Sequence, residues 1–144
     1  LDSKRLNKQI LEGYQILNVL SGQSPTGGWR NHPAVLMWAG AEDELWRYGQ
    51  VAMALAEMRD IKTDKNKSNF KDLVKTSSRH WGNNEPLWRS SPSVLKRVTT
   101  THKANLYRKD PIYYEQYADS VNDKYNKPCC DRCLYFWPTH PLKK

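Results

Sequence analysis

No stretch of the 144 residues approaches the ~18 consecutive apolar positions that a membrane-spanning helix needs. The first residues, Leu1, Asp2, Ser3, Lys4 and Arg5, carry no secretory signal pattern and already resemble a helix start. An initiator Met is also lacking, so the sequence reads either as a processed end or as one with residues upstream. Cysteine is scarce and clustered: Cys129, Cys130 and Cys133 are the only three. An odd, adjacent set makes a poor disulfide framework and suits a reducing cytoplasm. Cys130 and Cys133 form one C-x-x-C pair, half of a zinc site that His140 or His102 would have to complete. A second pair is missing, so unligated thiols in a C-terminal loop are the plainer reading and zinc the lesser one. There is no internal repeat, no strand-like alternation and no low-complexity tract. Those absences argue against a repeat array or a β fold and point to a mainly α chain.

Acidic residues are missing where it matters most. From Arg89 to Lys109 the chain has Arg89, Lys96, Arg97, Lys103, Arg108 and Lys109 and not one Asp or Glu. The whole chain carries a net charge of +8, with an isoelectric point near 9.4. Such a block supplies salt-dependent attraction to phosphates, and with aromatics interleaved it points to nucleic acid. The competing reading is a solvated surface that only confers solubility. At 38% hydrophobic residues the composition is globular, although a mean hydropathy of -0.86 makes it polar. Six Trp and eight Tyr argue against disorder. One domain over 1–144 is expected, with 122–144 as an extended Cys-containing tail; a domain of this size buries about 68–70% of its unfolded surface. The architecture expected is a compact helical bundle with long irregular loops.

The spacing predicts a first helix from an Asp2 N-cap to about Leu20, ending before Ser21 and Gly22. Leu6, Ile10, Tyr14 and Leu17 fall on its buried face. Arg5, Lys8, Gln9 and Glu12 share another face, within roughly a third of the circumference. After a Gly/Ser/Pro loop, Pro33 opens a second helix. That helix is expected to reach about Arg59 through Leu36, Leu45, Tyr48, Ala52 and Leu55, with Gly40 and Gly49 as possible bends. Lys62 to Ser68 reads as a loop and Ser68 to about Thr76 as a short helix. An irregular stretch packed by Trp81 and Trp88 should precede a helix within Ser93–Lys109 and a shorter one over Pro111–Val121. The tail is expected to be held, if at all, by Tyr135, Phe136 and Trp137.

Glu12 is the residue with the widest gap between its two readings. Beside Arg5 and Lys8 it is ordinarily a surface ion pair worth under ~1 kcal/mol. Alternatively it is a carboxylate among DNA-binding cations, able to move a proton at a sugar oxygen or stabilise positive charge at C1′. His32, before a proline at a helix start, is either a local cap or an anion contact. His102 and Lys103 lie in the basic block, where phosphate contact is the expectation. His80 beside Trp81 is either a base-stacking pair or a packed loop, and His140 has no specific assignment. Trp38, Trp46 and Tyr48 are core by default, whereas Trp29, Trp81 and Trp88 lie in predicted loops where stacking on bases is open.

Four blocks carry a resemblance. They are Leu1 through Glu12; Trp29, Arg30, Asn31, His32 and Pro33 followed by Met37 and Trp38; His102 through Pro111; and Tyr135, Phe136, Trp137 and Pro138. In this order they resemble the pyrimidine-dimer DNA glycosylase/AP-lyase family. The resemblance implies a helical, cofactor-free enzyme that acts on damaged double-stranded DNA as a monomer, in the cytoplasm of a bacterial or phage-infected cell. An amine attacks C1′, forms a Schiff base and cleaves the strand by β-elimination. Glu12 takes the place of the family's catalytic carboxylate. Arg5, Lys8, Gln9, Arg30, Asn31, His32, His102, Lys103, Asn105, Arg108 and Lys109 become candidates for the DNA-facing surface. The family's amine is an N-terminal one, ahead of the Leu-Asp block. The α-amine of Leu1 stands roughly 15 Å up the helix from Glu12, so missing upstream residues are the first expectation, a lysine nucleophile the second, and DNA binding without chemistry the third. A non-catalytic DNA-binding component of a phage or nucleoprotein assembly is the alternative function, and a Cys/His zinc module a third class.

Overall fold

Leu6, Ile10, Ile16 and Leu17 repeat at helical spacing, and they form the buried stripe of helix α1 (Ser3–Leu20). The computed structural model describes residues 1–23, 30–129 and 133–138. The helices that follow are α2 (Pro33–Leu36), α3 (Glu42–Met58), α4 (Asp64–Ser77), α5 (Leu87–Ser90) and α6 (Pro92–Lys109), with 3-10 turns at Ser78–His80 and Glu115–Asn122. The fold is mainly α, with no strand among the described residues. The chain divides into two compact units, Leu1–Pro86 and Leu87–Lys144.

In the first unit α1 packs along α3, with α2 and α4 also against α1. Arg59, just past the end of α3, donates to the carbonyl of Leu1, so the two long helices run antiparallel. Ile10, Leu17, Leu45, Met53 and Phe70 meet in the core at 2% exposure or less. Each such side chain contributes about 1.5–3 kcal/mol by leaving water. Tyr14, expected on the buried face, is half-buried and sets its ring edge-on to Phe70 at 5.7 Å between centroids.

The ends of α1 and α3 share one construction. After α1, the Gly22 N–H donates to the Val19 carbonyl and the Gln23 N–H to the Asn18 carbonyl, with Gly22 left-handed at φ 73°. After α3, the Asp60 N–H donates to Glu57 and the Ile61 N–H to Ala56, with Asp60 left-handed at φ 59°. Both are Schellman closures, which normally place glycine at the left-handed position. At the other end of α1, Asp2 occupies the N-cap as expected, but its carboxylate makes no cap bond to the backbone. It pairs instead with Arg5 at 3.1 Å.

Three expected boundaries move. The helix expected from Pro33 to Arg59 is two helices. Pro33 does open α2, but the chain leaves helical geometry after Leu36 and turns through Gly40, left-handed at φ 80°. Gly49 does not interrupt α3; it lies beneath the Phe70 ring, where an added Cβ would stand 2.7 Å from Cζ. The loop expected over Lys62–Ser68 is largely the first turn of α4, which begins at Asp64. Buried Phe70 and Leu73 dock that helix on the core, and tertiary packing then carries the polar residues ahead of them into helix. Finally, the helix expected over Pro111–Val121 is a turn followed by 3-10 geometry over Glu115–Asn122.

Ser77–Ser93 is irregular apart from the Ser78–His80 turn and α5. Trp81 secures part of it, donating from Nε1 to Ser21 Oγ at 2.8 Å. Gly82 donates to Glu42 at 3.1 Å and accepts from the Asp43 N–H at 3.1 Å, which stitches this segment to the start of α3. In the second unit α6 packs against the Glu115–Asn122 turn, and its buried face is partly polar: Val98, Thr100, Thr101, Ala104 and Asn105. Trp29, Cys130, His140 and most of the loop after Gly22 lie outside the described residues.

Candidate functional site

The residues singled out for DNA and catalysis fall in both units. On α1, Lys8 Nζ stands 3.7 Å from Glu12 Oε1, one helical turn apart. Lys8 is exposed and Glu12 and Gln9 are half-buried, so the carboxylate is open to solvent yet held beside a cation. Arg5, one turn nearer the N-terminus, is paired with Asp2. The polar face of α1 is thus a row of local pairs, each of modest energy because water competes for it.

Tyr48 of α3 joins this face. Its hydroxyl hydrogen-bonds the Gln9 side chain and feels the charge of Glu12. Burial of the hydroxyl pushes its pKa up, the Gln9 bond lowers it, and the Glu12 carboxylate raises it. The phenol therefore stays protonated at neutral pH. The residue nevertheless leaves 38% of its surface exposed. Trp38 packs beside it, ring centroids 5.9 Å apart, and is itself set against the core. The assignment of Tyr48 to the core is corrected: it borders the site instead. The signal for this was present in helical geometry, because Tyr48 lies roughly a quarter-turn from the centre of the Leu45, Gly49, Ala52, Met53, Ala56 stripe. A tyrosine at such a margin buries its ring and needs a partner for its hydroxyl. Leu55, also expected within the apolar series, is 38% exposed.

Arg30, Asn31 and His32 form an exposed approach to α2. His32 is its N-cap, its Nδ1 accepting from the Ala34 N–H at 3.1 Å. The local-cap reading of His32 is therefore realised. The helix it caps is only four residues long, too short to present the aligned dipole that an anion site needs.

In the second unit the basic face of α6 has a second occupation, the C-terminal segment. Asn105 is 3% exposed. Its amide donates to the Leu134 carbonyl at 2.6 Å and to the Thr101 carbonyl at 2.8 Å, so it anchors the tail and offers no surface to a phosphate. Thr101 Oγ1 accepts from the Phe136 N–H at 3.1 Å. Arg97 donates to the Lys127 carbonyl at 2.5 Å and the Pro128 carbonyl at 2.8 Å, with its guanidinium over the Phe136 ring at 4.0 Å. His102 lies against the rings of Tyr135 and Trp137, 4.7 and 5.7 Å away. Its Nδ1 is 2.7 Å from the Val98 carbonyl; a carbonyl only accepts, so Nδ1 carries the proton. Burial is the largest influence on its pKa and lowers it, the Val98 bond opposes, and Lys109 lowers it further. His102 is accordingly neutral at pH 7, which removes the charge that a phosphate contact would use.

Of the α6 cations proposed to face DNA, Lys103, Arg108 and Lys109 are exposed, and Arg89, Lys96, Lys124 and Lys127 are exposed in the same unit. Lys103 sits over the Tyr117 ring at 5.4 Å, and Lys109 donates to the Tyr135 hydroxyl at 3.2 Å. Arg108 donates to Asn105 Oδ1 at 3.2 Å. The tail is held as the aromatic expectation required, with Asn105, Thr101 and Arg97 as further anchors. Cys129 Sγ accepts from the Trp137 N–H at 2.8 Å, a structural use of one thiol. Among the described residues no three of His, Cys, Asp and Glu come together as a metal site; Cys133 is described and Cys130 is not.

The sequence model of the pyrimidine dimer DNA glycosylase family matches residues 1–69. That stretch contains Arg5, Lys8, Gln9, Glu12, Arg30, Asn31, His32 and Tyr48, so the resemblance read from the first two blocks holds there. The blocks at His102–Pro111 and Tyr135–Pro138 lie beyond it. No curated protein and no solved structure matches the chain.

Proposed function

We propose that this chain is a DNA glycosylase with AP-lyase activity that excises damaged or modified pyrimidines, with Glu12 as its catalytic carboxylate. The observation that carries the reading is the Lys8, Glu12, Gln9 and Tyr48 constellation within the stretch that matches the glycosylase family. In the reaction an amine attacks C1′, the C1′–base bond breaks with its electrons leaving on the base, and the sugar remains on the enzyme as a Schiff base. β-Elimination then breaks the strand. Glu12 stabilises the positive charge that develops at C1′ and moves the proton at the sugar oxygen. Lys8 holds the carboxylate, and cations nearby draw in the phosphate backbone.

Leu1 does not supply the amine from its position at the far end of α1, roughly 15 Å from Glu12 by helical rise. The attacking amine is a lysine side chain or an amine N-terminal to Leu1, and borohydride trapping distinguishes them. Ultraviolet-irradiated and abasic duplexes are incubated with this chain and with a version extended at its N-terminus, then reduced. A covalent adduct is expected, and peptide mass spectrometry of it locates the amine. Absence of an adduct with both versions, alongside salt-sensitive DNA binding, would replace this reading with that of a non-catalytic DNA-binding protein.

A further inference from the structure

In the reaction above the departing base takes a pair of electrons, and no residue has yet been assigned to that charge. When the C1′–N1 bond of a pyrimidine nucleotide breaks, the pair settles on N1 and, by resonance, on O2 of the adjoining carbonyl. Glu12 is an anion and repels this charge, and Lys8 Nζ is committed to Glu12 at 3.7 Å. Neutral hydrogen-bond donors held in place beforehand stabilise such an oxygen as its charge develops.

Gln9 is such a donor. It lies three residues before Glu12 on one face of α1, half-buried, and Tyr48 of α3 reaches across to its side chain. The bond lowers the pKa of the Tyr48 hydroxyl, as a bond donated to the phenol oxygen does. The amide nitrogen of Gln9 therefore faces Tyr48. A primary amide carries two N–H groups, so one serves Tyr48 and the second is left to donate. Tyr48 is fixed in turn by Trp38, with ring centroids 5.9 Å apart at 42°, and Trp38 packs on the core. The charged groups along this face are paired, Asp2 with Arg5 at 3.1 Å and Glu12 with Lys8. The amide thus meets a developing negative charge without a proton to lose.

We propose that the Gln9 amide, held by Tyr48, donates to O2 of the departing pyrimidine, with Gln9 a catalytic residue and Tyr48 its positioning residue. The inference rests on the glycosylase reading and adds to it the group that receives the leaving base. It also gives the site a chemical reason to prefer pyrimidines. Every pyrimidine, damaged or intact, has a carbonyl beside its glycosidic nitrogen, and an undamaged purine has none. The amine–C1′ bond forms, the C1′–N1 bond breaks, and the pair passes to N1 and O2. The proton that the amine sheds balances the one that the base takes from water, and Gln9 stays neutral throughout.

Two duplexes separate help to the leaving base from any other role. An ultraviolet-irradiated duplex requires base release. A preformed abasic site has no base to lose but needs the same amine, Schiff base and β-elimination. Single-turnover rates are measured on both at saturating protein, with the N-terminally extended chain if trapping finds the amine there. For Gln9→Ala the ratio of base release to abasic-site cleavage should fall on the order of 10²-fold, the scale of one lost transition-state donor. Tyr48→Phe should lower the same ratio by less. Equal losses on both duplexes would make the pair a support for Glu12 or for the fold and overturn the assignment, as would an unchanged ratio. Wild type that cleaves the abasic duplex but releases no base would overturn it while lyase chemistry stands. Wild type that gives no borohydride-trapped adduct on the abasic duplex would remove the glycosylase reading itself, and this inference with it.

Discussion

Gln9 of α1 hydrogen-bonds the hydroxyl of Tyr48 on α3. This contact ties the polar face of one helix to the other and places a protonated phenol beside Glu12. Tyr48→Phe keeps the ring against Trp38 and removes only the bond. A loss of about 0.5–1.5 kcal/mol in unfolding free energy is expected, the usual net value of one such bond. Denaturant melts of the two proteins measure it; equal midpoints would mean that water replaces Tyr48 without cost.

Gly82 and Gly49 rank differently as sites for alanine. A Cβ on Gly82 would stand 2.2 Å from the Gly40 carbonyl oxygen, which is backbone and cannot rotate away. One on Gly49 would stand 2.7 Å from Cζ of Phe70, a ring buried in the core. Glycine to alanine inside a helix ordinarily stabilises by about 0.8–1 kcal/mol. At Gly49 overpacking should reverse the sign, with a net loss of about 1–2 kcal/mol. Gly82→Ala should cost more than that. Thermal melts that find Gly49→Ala stabilised would show that Phe70 moves freely.

Asp60 occupies a left-handed position that suits glycine, at φ 59°. Asp60→Gly should stabilise the protein by about 0.5–1 kcal/mol, because the left-handed strain at a residue with a Cβ is removed. The gain is reduced by the greater freedom of glycine in the unfolded chain. A lower melting temperature for the variant would contradict this account of the α3 closure.

Burial lowers the pKa of His102, while the unfolded chain keeps the ordinary value of about 6.5. Below about 6.5 the unfolded state therefore binds more protons than the folded one, and stability rises with pH there. The contribution is complete above the unfolded value. It declines as pH falls through it and levels off beneath the folded value. His102→Gln should remove that part of the slope between pH 7 and 5. Parallel stability curves for wild type and variant across this range would show that His102 is not buried under Tyr135 and Trp137.

The helices were legible where one apolar stripe met a cap signal, as in α1 with Leu6, Ile10 and Leu17 between Asp2 and Gly22. Boundaries went astray where packing overrides local preference. Asp64 to Ser68 are polar enough to read as loop, but Phe70 and Leu73 draw them into α4. The site was legible only in part. Glu12 and Lys8 share a face by helical arithmetic alone, whereas Tyr48 comes from another helix and looked like core. Asn105 and His102 read as DNA-facing because they sit among cations. The tail that buries them contacts α6 from about 30 residues further along the chain, through bonds to its backbone that leave no mark in side-chain chemistry.

Whether Glu12 performs chemistry or only pairs with Lys8 is decided by Glu12→Gln. Single-turnover strand cleavage and equilibrium binding are measured together on ultraviolet-irradiated duplex, with melts to show that the fold is intact. The N-terminally extended protein is used if trapping finds the amine there. Cleavage is expected to fall by at least about 10²-fold, the scale of general acid–base catalysis, with affinity nearly unchanged. Stability should move by under ~1 kcal/mol, as expected for an exposed ion pair. Equal cleavage by Glu12→Gln and wild type would show that Glu12 is a surface ion pair and nothing more.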